Sequence, residues 1–374
     1  MPIGSMEQQR LLFDQSLKNF LAPIADLLDD DGVSEIMING PDMIFIEQRG
    51  KVTLVGNKFR DDNTLMAAIR NIAQFMKREF SNESPRLDAR LPNGSRVHAI
   101  IPPICKQGIC VAIRKFSKEK LTMEKLMDFG AITPRAVEFV NVCVKILKNM
   151  IVSGGTGSGK TSLLNVVSGL ADHDERIVVI EDATEMQVQQ EHVIQLEARP
   201  PDKNGKGAIT IRDLLHSAMR LRPDRIIIGE VRGGEALDLL QAMTSGHSGS
   251  LATVHSNQPR DTLGRLETLS MYAGTELPLH AIRSQVASAI EIVIQTSRFR
   301  DGSRKISHIT EILDLDDEGR YHYQDIFRFR SEGTDEDGRI KGKLVTVGNI
   351  PSFYNQMVIN NLDLGKDFFE DGLQ

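Results

Sequence analysis

The sequence has no tryptophan, and aromatic residues make up only 5% of its 374 residues. It has three cysteines, Cys105, Cys110 and Cys143, which are too few for a secreted disulfide scaffold and lack paired metal-ligand spacing. We therefore interpret them as buried or free thiols. The scarcity of aromatic side chains leaves few surfaces on which nucleic-acid bases could stack. A formal net charge of -6 also argues against a chain that neutralises many phosphates.

Long hydrophobic runs are absent as well. No run approaches the roughly 18 to 20 apolar residues that a membrane span requires. The N-terminus lacks the basic, apolar and small-residue layout of a signal peptide. These absences predict a cytoplasmic protein, and a hydrophobic content of 40% is enough for two ordinary cores, so we expect two domains.

The first third of the sequence has mixed α and β patterns. Apolar residues at approximately helical spacing predict an N-terminal helix within residues 1–30. Short β-type runs follow, then a helix from Thr64 to about Phe80, and then a strong hairpin signal at Asn93-Gly94. We predict a mixed α/β N-terminal domain over residues 31–117 and a linker over residues 118–133.

Residues 134–374 are predicted to form a second α/β domain. Apolar strand-like stretches, "MIVSG", "RIVVIED", "RIIIG" and "SLATVH", alternate there with helical segments. Fully apolar strands separated by helices predict a mainly parallel sheet that is covered on both faces. Charged strand-like pieces after Val293 predict a β-rich C-terminal appendage.

The stretch "GGTGSGKT" satisfies the complete P-loop pattern and lies between a predicted strand and a predicted helix. The glycines allow a tight loop whose N–H groups point at phosphate oxygens, and the helix N-terminus adds positive partial charge. Lys160 is predicted to reach the β- and γ-phosphates of ATP, and Thr161 to offer its hydroxyl to Mg²⁺. The predicted nucleotide-binding residues are Gly154, Gly155, Thr156, Gly157, Ser158, Gly159, Lys160, Thr161 and Ser162.

Carboxylates follow two of the predicted buried strands. Hydrolysis of a phosphoanhydride requires a carboxylate that orients or deprotonates the attacking water. "RIIIGE" places Glu230 beyond one strand, and "VVIEDATE" places Glu181, Asp182 and Glu185 beyond another. Each could be a capping or solvated residue, but together they predict an acidic cluster opposite the P-loop. Gly229 stands where an aspartate usually precedes the glutamate.

Two histidines, His247 and His255, flank the short strand-like segment "SGSLATV". A neutral imidazole at the carboxyl end of a strand can sense a γ-phosphate or its water. Each histidine could equally be a polar residue of the core or of a loop. A zinc site is less favoured, because no further ligands share a metal-site spacing.

In chain order, "GGTGSGKT", "IEDATE", "RIIIGEVR" and "TSGHSGSLATVHSN" resemble the Walker A, Asp box, Walker B and His box of secretion ATPases. These are the motors of type II and type IV secretion and of type IV pili. The resemblance covers about residues 33–296. "LLDDDGVSEIMINGPDMIFIEQRGKV" and "RLDARLPNGSRVHAIIPP" resemble the CpaF/TadA-like ATPases of Flp (Tad) pili in particular. Members of this family commonly have glycine at the position of Gly229.

The resemblance implies a PAS-like N-terminal domain, a RecA-like ATPase domain, and ATP and Mg²⁺ as cofactors. It implies a homo-hexamer that acts peripherally at the inner-membrane face of a bacterium, on a platform protein. It also implies that Arg96 and Arg114 approach the phosphates, with Arg86 and Arg90 as further candidates.

These observations lead to a hypothesis for the reaction. Glu230 activates the water, Glu181 and Glu185 organise Mg²⁺ and its water shell, and His255 and His247 report the γ-phosphate. The work would be assembly of a Flp pilus, with or without retraction, or secretion. Three alternatives stay open: a type IV secretion traffic ATPase, a RecA-like nucleic-acid motor, and a regulatory ring that hydrolyses little ATP.

Overall fold

The computed structural model describes residues 16–17, 19–48, 50–76, 78–115, 121–201, 205–370 and 372. The chain divides into two compact units, Met1–Lys120 and Leu121–Gln374. Much of the helix predicted within residues 1–30 lies outside the described residues, and what is described there ends in helix α1, Ala25–Asp29. Within the described ranges, no helix is long and apolar enough to cross a membrane.

The N-terminal unit is built on a six-stranded antiparallel sheet in the order β3-β2-β1-β6-β5-β4. Alternate residues such as Ile36 and Ile38 are buried, because one face packs on helix α2. The hairpin predicted at Asn93-Gly94 is confirmed, and Gly94 has a φ of +89°. The elements are β1 Val33–Asn39, β2 Ile44–Gln48, β3 Lys51–Val55, α2 Asp62–Phe75, β4 Arg86–Arg90, β5 Arg96–Ile100 and β6 Cys110–Arg114.

The second unit combines six parallel strands with helices, and its last three strands are antiparallel. Helix α4 begins with Pro134, which supplies a helical φ at a position where no N–H is needed. Its elements are α3 Met123–Asp128, α4 Pro134–Lys145, β7 Met150–Gly154, α5 Lys160–Ser168, β8 Ile177–Glu181, β9 Val193–Glu197, α6 Ile211–Ala218, β10 Arg225–Ile228, α7 Glu235–Thr244, β11 Leu251–His255, α8 Pro259–Met271, α9 Leu279–Ala289, β12 Ile292–Arg298, β13 Arg304–Leu315, β14 Tyr321–Thr334, β15 Ile340–Thr346 and α10 Tyr354–Ile359.

These strands form one nine-stranded sheet in the order β15-β14-β13-β12-β7-β11-β10-β8-β9. The six strands from β12 to β9 in that order are parallel, as predicted. Separate apolar clusters cover the two faces of the sheet. Because the strands are parallel, the segments that follow β7, β8, β10 and β11 all leave the sheet at one edge, and this edge carries the candidate site.

The C-terminal region predicted as an appendage continues the central sheet. Strand β13 pairs with β12, and β14 and β15 follow in antiparallel order. The ring of Phe139 on α4 contacts Phe327, Phe353 and Phe369 with centroids 5.5 to 6.2 Å apart. This region therefore shares the core of the unit. The segment predicted as a linker, residues 118–133, includes α3, whose Met123 is buried in the same core.

Candidate functional site

The phosphate-binding loop joins the end of β7 to the start of α5. Gly157 and Gly159 have left-handed φ values of +70° and +94°, which residues other than glycine adopt at a cost. A Cβ at Gly154 would overlap the hydroxyl of Thr296. Three of the glycines are thus required by backbone conformation or by close packing.

Donors inside the loop converge on one oxygen. The Gly155 carbonyl accepts hydrogen bonds from Ser158 Oγ at 2.8 Å and from Lys160 Nζ at 3.0 Å. The Ser158 N–H makes a longer bond of 3.4 Å to the same carbonyl. Lys160 is only 7% exposed. A buried ammonium group beside backbone N–H groups suits a phosphate group, so the loop fits a nucleotide.

A chain of charged and polar contacts runs from Lys160 across the neighbouring strand ends. Lys160 Nζ lies 3.4 Å from His255 Nε2. His255 Nε2 lies 2.9 Å from Glu230 Oε1, and Arg232 Nη2 donates to Glu230 Oε2 at 2.5 Å. Arg232 Nη1 lies 3.4 Å from a carboxylate oxygen of Asp182. The structure thus brings Glu230 and His255 to the P-loop lysine.

The environment sets the charge state of both groups. Burial raises the pKa of Glu230, but Arg232, His255 and Lys160 together outweigh this effect, so the pKa lies below its usual value. Burial lowers the pKa of His255, and the Lys160 charge lowers it further. At neutral pH the site therefore holds an ionised carboxylate beside a neutral imidazole, which suits the positioning of a water molecule.

Glu181 is buried beside Gly229. The residue is 4% exposed, and its Oε1 accepts hydrogen bonds from the N–H groups of Glu185 at 3.0 Å and Met186 at 3.1 Å. A Cβ at Gly229 would lie 2.8 Å from Glu181 Cγ. The glutamate thus fills the volume that an aspartate side chain at position 229 would need.

The described residues contain no cluster of three or more His, Cys, Asp and Glu side chains that could hold a metal on its own. Thr161 and Ser162 lie in the first turn of α5, directly after Lys160. A Mg²⁺ ion usually keeps several waters and binds through few protein groups together with phosphate oxygens. The Thr161 hydroxyl, next to Lys160 at the start of α5, is an oxygen ligand of the kind that such a site uses.

The two histidines lie at opposite ends of β11. His255 is the last residue of the strand and pairs with Gly154 at the P-loop edge. His247 precedes the strand, and its carbonyl accepts a hydrogen bond from Ser250 Oγ at 2.7 Å. The structure therefore brings His255, and not His247, to the phosphate-binding loop of the same chain.

The predicted arginines belong to the N-terminal unit and form a row across three strands. Arg90 on β4 lies opposite Arg96 on β5, which lies opposite Arg114 on β6. Arg86 pairs with Ile100 at the other end of β4 and is not part of the row. The strand register thus places three guanidinium-bearing residues side by side at one end of the sheet.

Some site residues were not predicted. Arg232 lies in "RIIIGEVR", two positions after Glu230 in the sequence. This short spacing is the sequence signal that could have indicated the contact between them. Arg304 Nε donates to the Gly157 carbonyl at 2.8 Å, and Thr296 Oγ1 lies 2.8 Å from Ser158 Oγ. No local motif marks these last two, because they come from strands far along the chain.

Comparison with known proteins finds a matching family model and related sequences. The family model described as "Type II/IV secretion system protein" matches residues 18–336. A putative conjugal transfer protein of Mycobacterium tuberculosis is 34% identical over 76% of this chain and 82% of its own length. The type IV secretion system protein VirB11 of Bartonella henselae is 31% identical over 77% of this chain and 91% of its own length.

A solved structure has a similar fold. The pilus retraction motor PilT with bound ADP is similar with a TM-score of 0.56 and 19% identity, over 81% of this chain and 84% of that one. At this level of identity the similarity shows the fold alone. The predicted RecA-like architecture is thereby confirmed.

Proposed function

The chain belongs to the type II/IV secretion system protein family, and we propose that it is the motor that powers transport through a membrane platform. It is an ATP hydrolase with a P-loop. The observation that supports the proposed role of the site is the chain of contacts from Lys160 through His255 to Glu230. This series of contacts joins the P-loop lysine, which would bind phosphate, to an ionised carboxylate at the same edge of the sheet.

Each residue of the site has a proposed role. When the nucleotide binds, the Lys160 ammonium group would leave the Gly155 carbonyl and donate to a phosphate oxygen instead. Glu230 would orient the attacking water and accept its proton, while Arg232 and His255 hold the carboxylate in place. Mg²⁺, when bound, neutralises developing phosphate charge as a Lewis acid. Thr161, Glu181 and Glu185 would hold it directly or through water.

We propose that His255 also distinguishes the nucleotide state. Its imidazole touches both Lys160 and Glu230, so a shift of Lys160 toward a terminal phosphate changes the surroundings of the ring. His255 would carry that difference into the loop that follows β11. We assign no phosphate contact within the same chain to His247.

We propose further that the active form is a homo-hexamer in which Arg96 and Arg114 contact phosphates. The register of β4 to β6 supports this proposal, because it places Arg90, Arg96 and Arg114 side by side on three adjacent strands. Arginines that stabilise the charge of phosphoryl transfer contribute about 10³ to 10⁵ in rate. Replacing Arg96 or Arg114 with alanine should therefore slow hydrolysis much more than it weakens binding of ADP.

The branch of the family is a finer proposal. The N-terminal stretch resembles ATPases of Flp pili, whereas the relatives named for conjugal transfer and for type IV secretion support a traffic ATPase. We propose that the protein acts at the inner-membrane face on a platform protein in either branch. Deletion of the gene, with surface pili, pilus retraction and secreted protein scored in parallel, separates the branches.

The activity itself is tested with purified protein. We expect steady-state phosphate release from MgATP, and its loss in Lys160→Ala together with weaker nucleotide binding, because Lys160 is the P-loop cation. A protein that binds ATP but releases no phosphate would be a regulatory ring instead. Stimulation by single-stranded DNA, with a steep dependence on salt, would support a nucleic-acid motor.

A further inference from the structure

The P-loop is supported from outside by the hairpin between β12 and β13. Arg304, the first residue of β13, donates from Nε to the Gly157 carbonyl at 2.8 Å. Its Cδ lies 3.6 Å from the point where a Cβ on Gly159 would be. Arg298, the last residue of β12, has its Nη1 3.4 Å from the corresponding point at Gly157. Two guanidinium groups of one hairpin thus lie against the glycines of the loop.

The same hairpin also contacts the beginning of the loop. Thr296 pairs with Gly154 in the parallel register of β12 and β7. Its Oγ1 donates to the Ser153 carbonyl at 3.0 Å and lies 2.8 Å from Ser158 Oγ. Strand β12 therefore fixes the entry to the loop, and Arg304 holds its middle.

A loop of this kind needs such support. N–H groups that face a phosphate turn the neighbouring carbonyls outward, where each needs a donor of its own. Glycines at 157 and 159 give the loop many alternative conformations, which raises the entropic cost of ordering it. A charge-assisted hydrogen bond to one outward carbonyl selects among those conformations.

The planar peptide connects this bond to the interior of the loop. In a trans peptide the C=O of one residue and the N–H of the next point in opposite directions. When Arg304 holds the Gly157 carbonyl outward, the Ser158 N–H points inward, where it makes only the long 3.4 Å bond to the Gly155 carbonyl. That donor is then oriented for a phosphate oxygen.

We propose that Arg304 is a positioning residue for nucleotide binding, which holds the Gly157–Ser158 peptide in the phosphate-binding orientation before the nucleotide arrives. The proposal rests on the proposed function, because it assigns a role within the same nucleotide site. When only a fraction of the loops is in the competent conformation, the apparent affinity falls by that fraction. Arg304 would raise the fraction without touching the nucleotide.

The test compares three variants of the full-length protein. Arg304→Met keeps the apolar stem beside Gly159 but lacks the donor, Arg304→Lys keeps a cationic donor, and Arg300→Ala removes an exposed arginine of the same hairpin. Affinity for fluorescently labelled MgADP is measured by titration. Thermal unfolding is measured without nucleotide.

We expect Arg304→Met to weaken MgADP binding about 10- to 100-fold, the range for a lost charge-assisted hydrogen bond. Arg304→Lys should recover part of the loss, and Arg300→Ala should bind like wild type. The melting temperature without nucleotide should differ by no more than about a few degrees among the variants, because the lost bond orders one loop and not the core.

Two results would overturn the inference. One is an Arg304→Met protein that binds MgADP as tightly as the wild type does. The other is an equal loss of affinity in Arg304→Met and Arg304→Lys with a fall in melting temperature well beyond those few degrees, which shows a general structural role. If the wild-type protein itself bound no MgADP, the proposed function would fall and this inference with it. The two failures are therefore distinguishable.

Discussion

The side chain of Glu181 lies where a side chain at Gly229 would have to be. A Cβ at position 229 would lie 2.8 Å from Glu181 Cγ and 3.3 Å from its Oε1. The glycine at this Walker B position and the buried glutamate at the end of β8 are therefore one packing unit. The buried carboxylate in this place is that of Glu181 at the end of β8. The Walker B segment, which usually supplies a carboxylate here, has Gly229 instead.

Gly229→Ala should be destabilising, because overpacking a filled site costs about 1 to 3 kcal/mol. Glu181→Ala should make room for the new methyl group. A double-mutant cycle, measured by denaturant unfolding, should show that the cost of Gly229→Ala is smaller when Glu181 is alanine. Strictly additive effects would mean that the two positions do not share one space.

Acidification should reduce turnover through His255. Its pKa is lowered, so the ring is neutral at pH 7 and gains a proton only below its ordinary value of 6.5. Glu230 also has a lowered pKa and stays ionised through that range. The rate of ATP hydrolysis should therefore fall along an acid limb whose midpoint lies below pH 6.5.

His255→Asn should remove that acid limb, whereas His247→Asn should keep it, because only His255 contacts Lys160 and Glu230. The pH profiles of the two variants form a matched pair from the two ends of one strand. An unchanged acid limb in His255→Asn would assign the titration to another group.

Arg225 should be essential for stability. It is 0% exposed and makes two bonds to Glu175, at 2.7 and 2.9 Å. It also donates to the Gly249 carbonyl at 2.8 Å. Arg225→Ala leaves the Glu175 carboxylate without its partner, and breaking a buried pair in this way costs about 3 to 5 kcal/mol.

The control for this prediction is Arg220→Ala, which removes an exposed arginine in the turn after α6. Denaturant unfolding of both variants should show a large loss for Arg225→Ala and almost none for Arg220→Ala. Equal free energies of unfolding for the two variants would mean that the Arg225–Glu175 pair does not stabilise the fold.

The sequence allowed prediction of those parts of the site that follow from strand order. The C-terminal ends of parallel strands lie at one edge of the sheet. The motifs at the ends of four buried strands were therefore expected to lie close together, and Lys160, Glu230 and His255 do. The position of His247 could not be read in this way. A histidine before a strand and one after it look alike in sequence, but only one end of the strand meets the P-loop.

Contacts between distant segments were beyond prediction for a different reason. Arg304 lies on a strand of the charged C-terminal region, and only the pairing of β12 with β7 brings that strand next to Gly157. The same pairing makes β13 to β15 a continuation of the central sheet. Glu181 leaves no room for a side chain at Gly229, and this too depends on side-chain volume across two adjacent strands.

The central claim is that Glu230 activates the attacking water, and Glu230→Gln tests it most directly. The amide keeps the size of the side chain but cannot accept the proton, and loss of a general base lowers rates about 10²- to 10⁴-fold. We predict that the variant binds MgATP as tightly as wild type and loses steady-state phosphate release by at least the lower of these factors. Wild-type turnover in a Glu230→Gln protein that still binds MgATP would contradict the account.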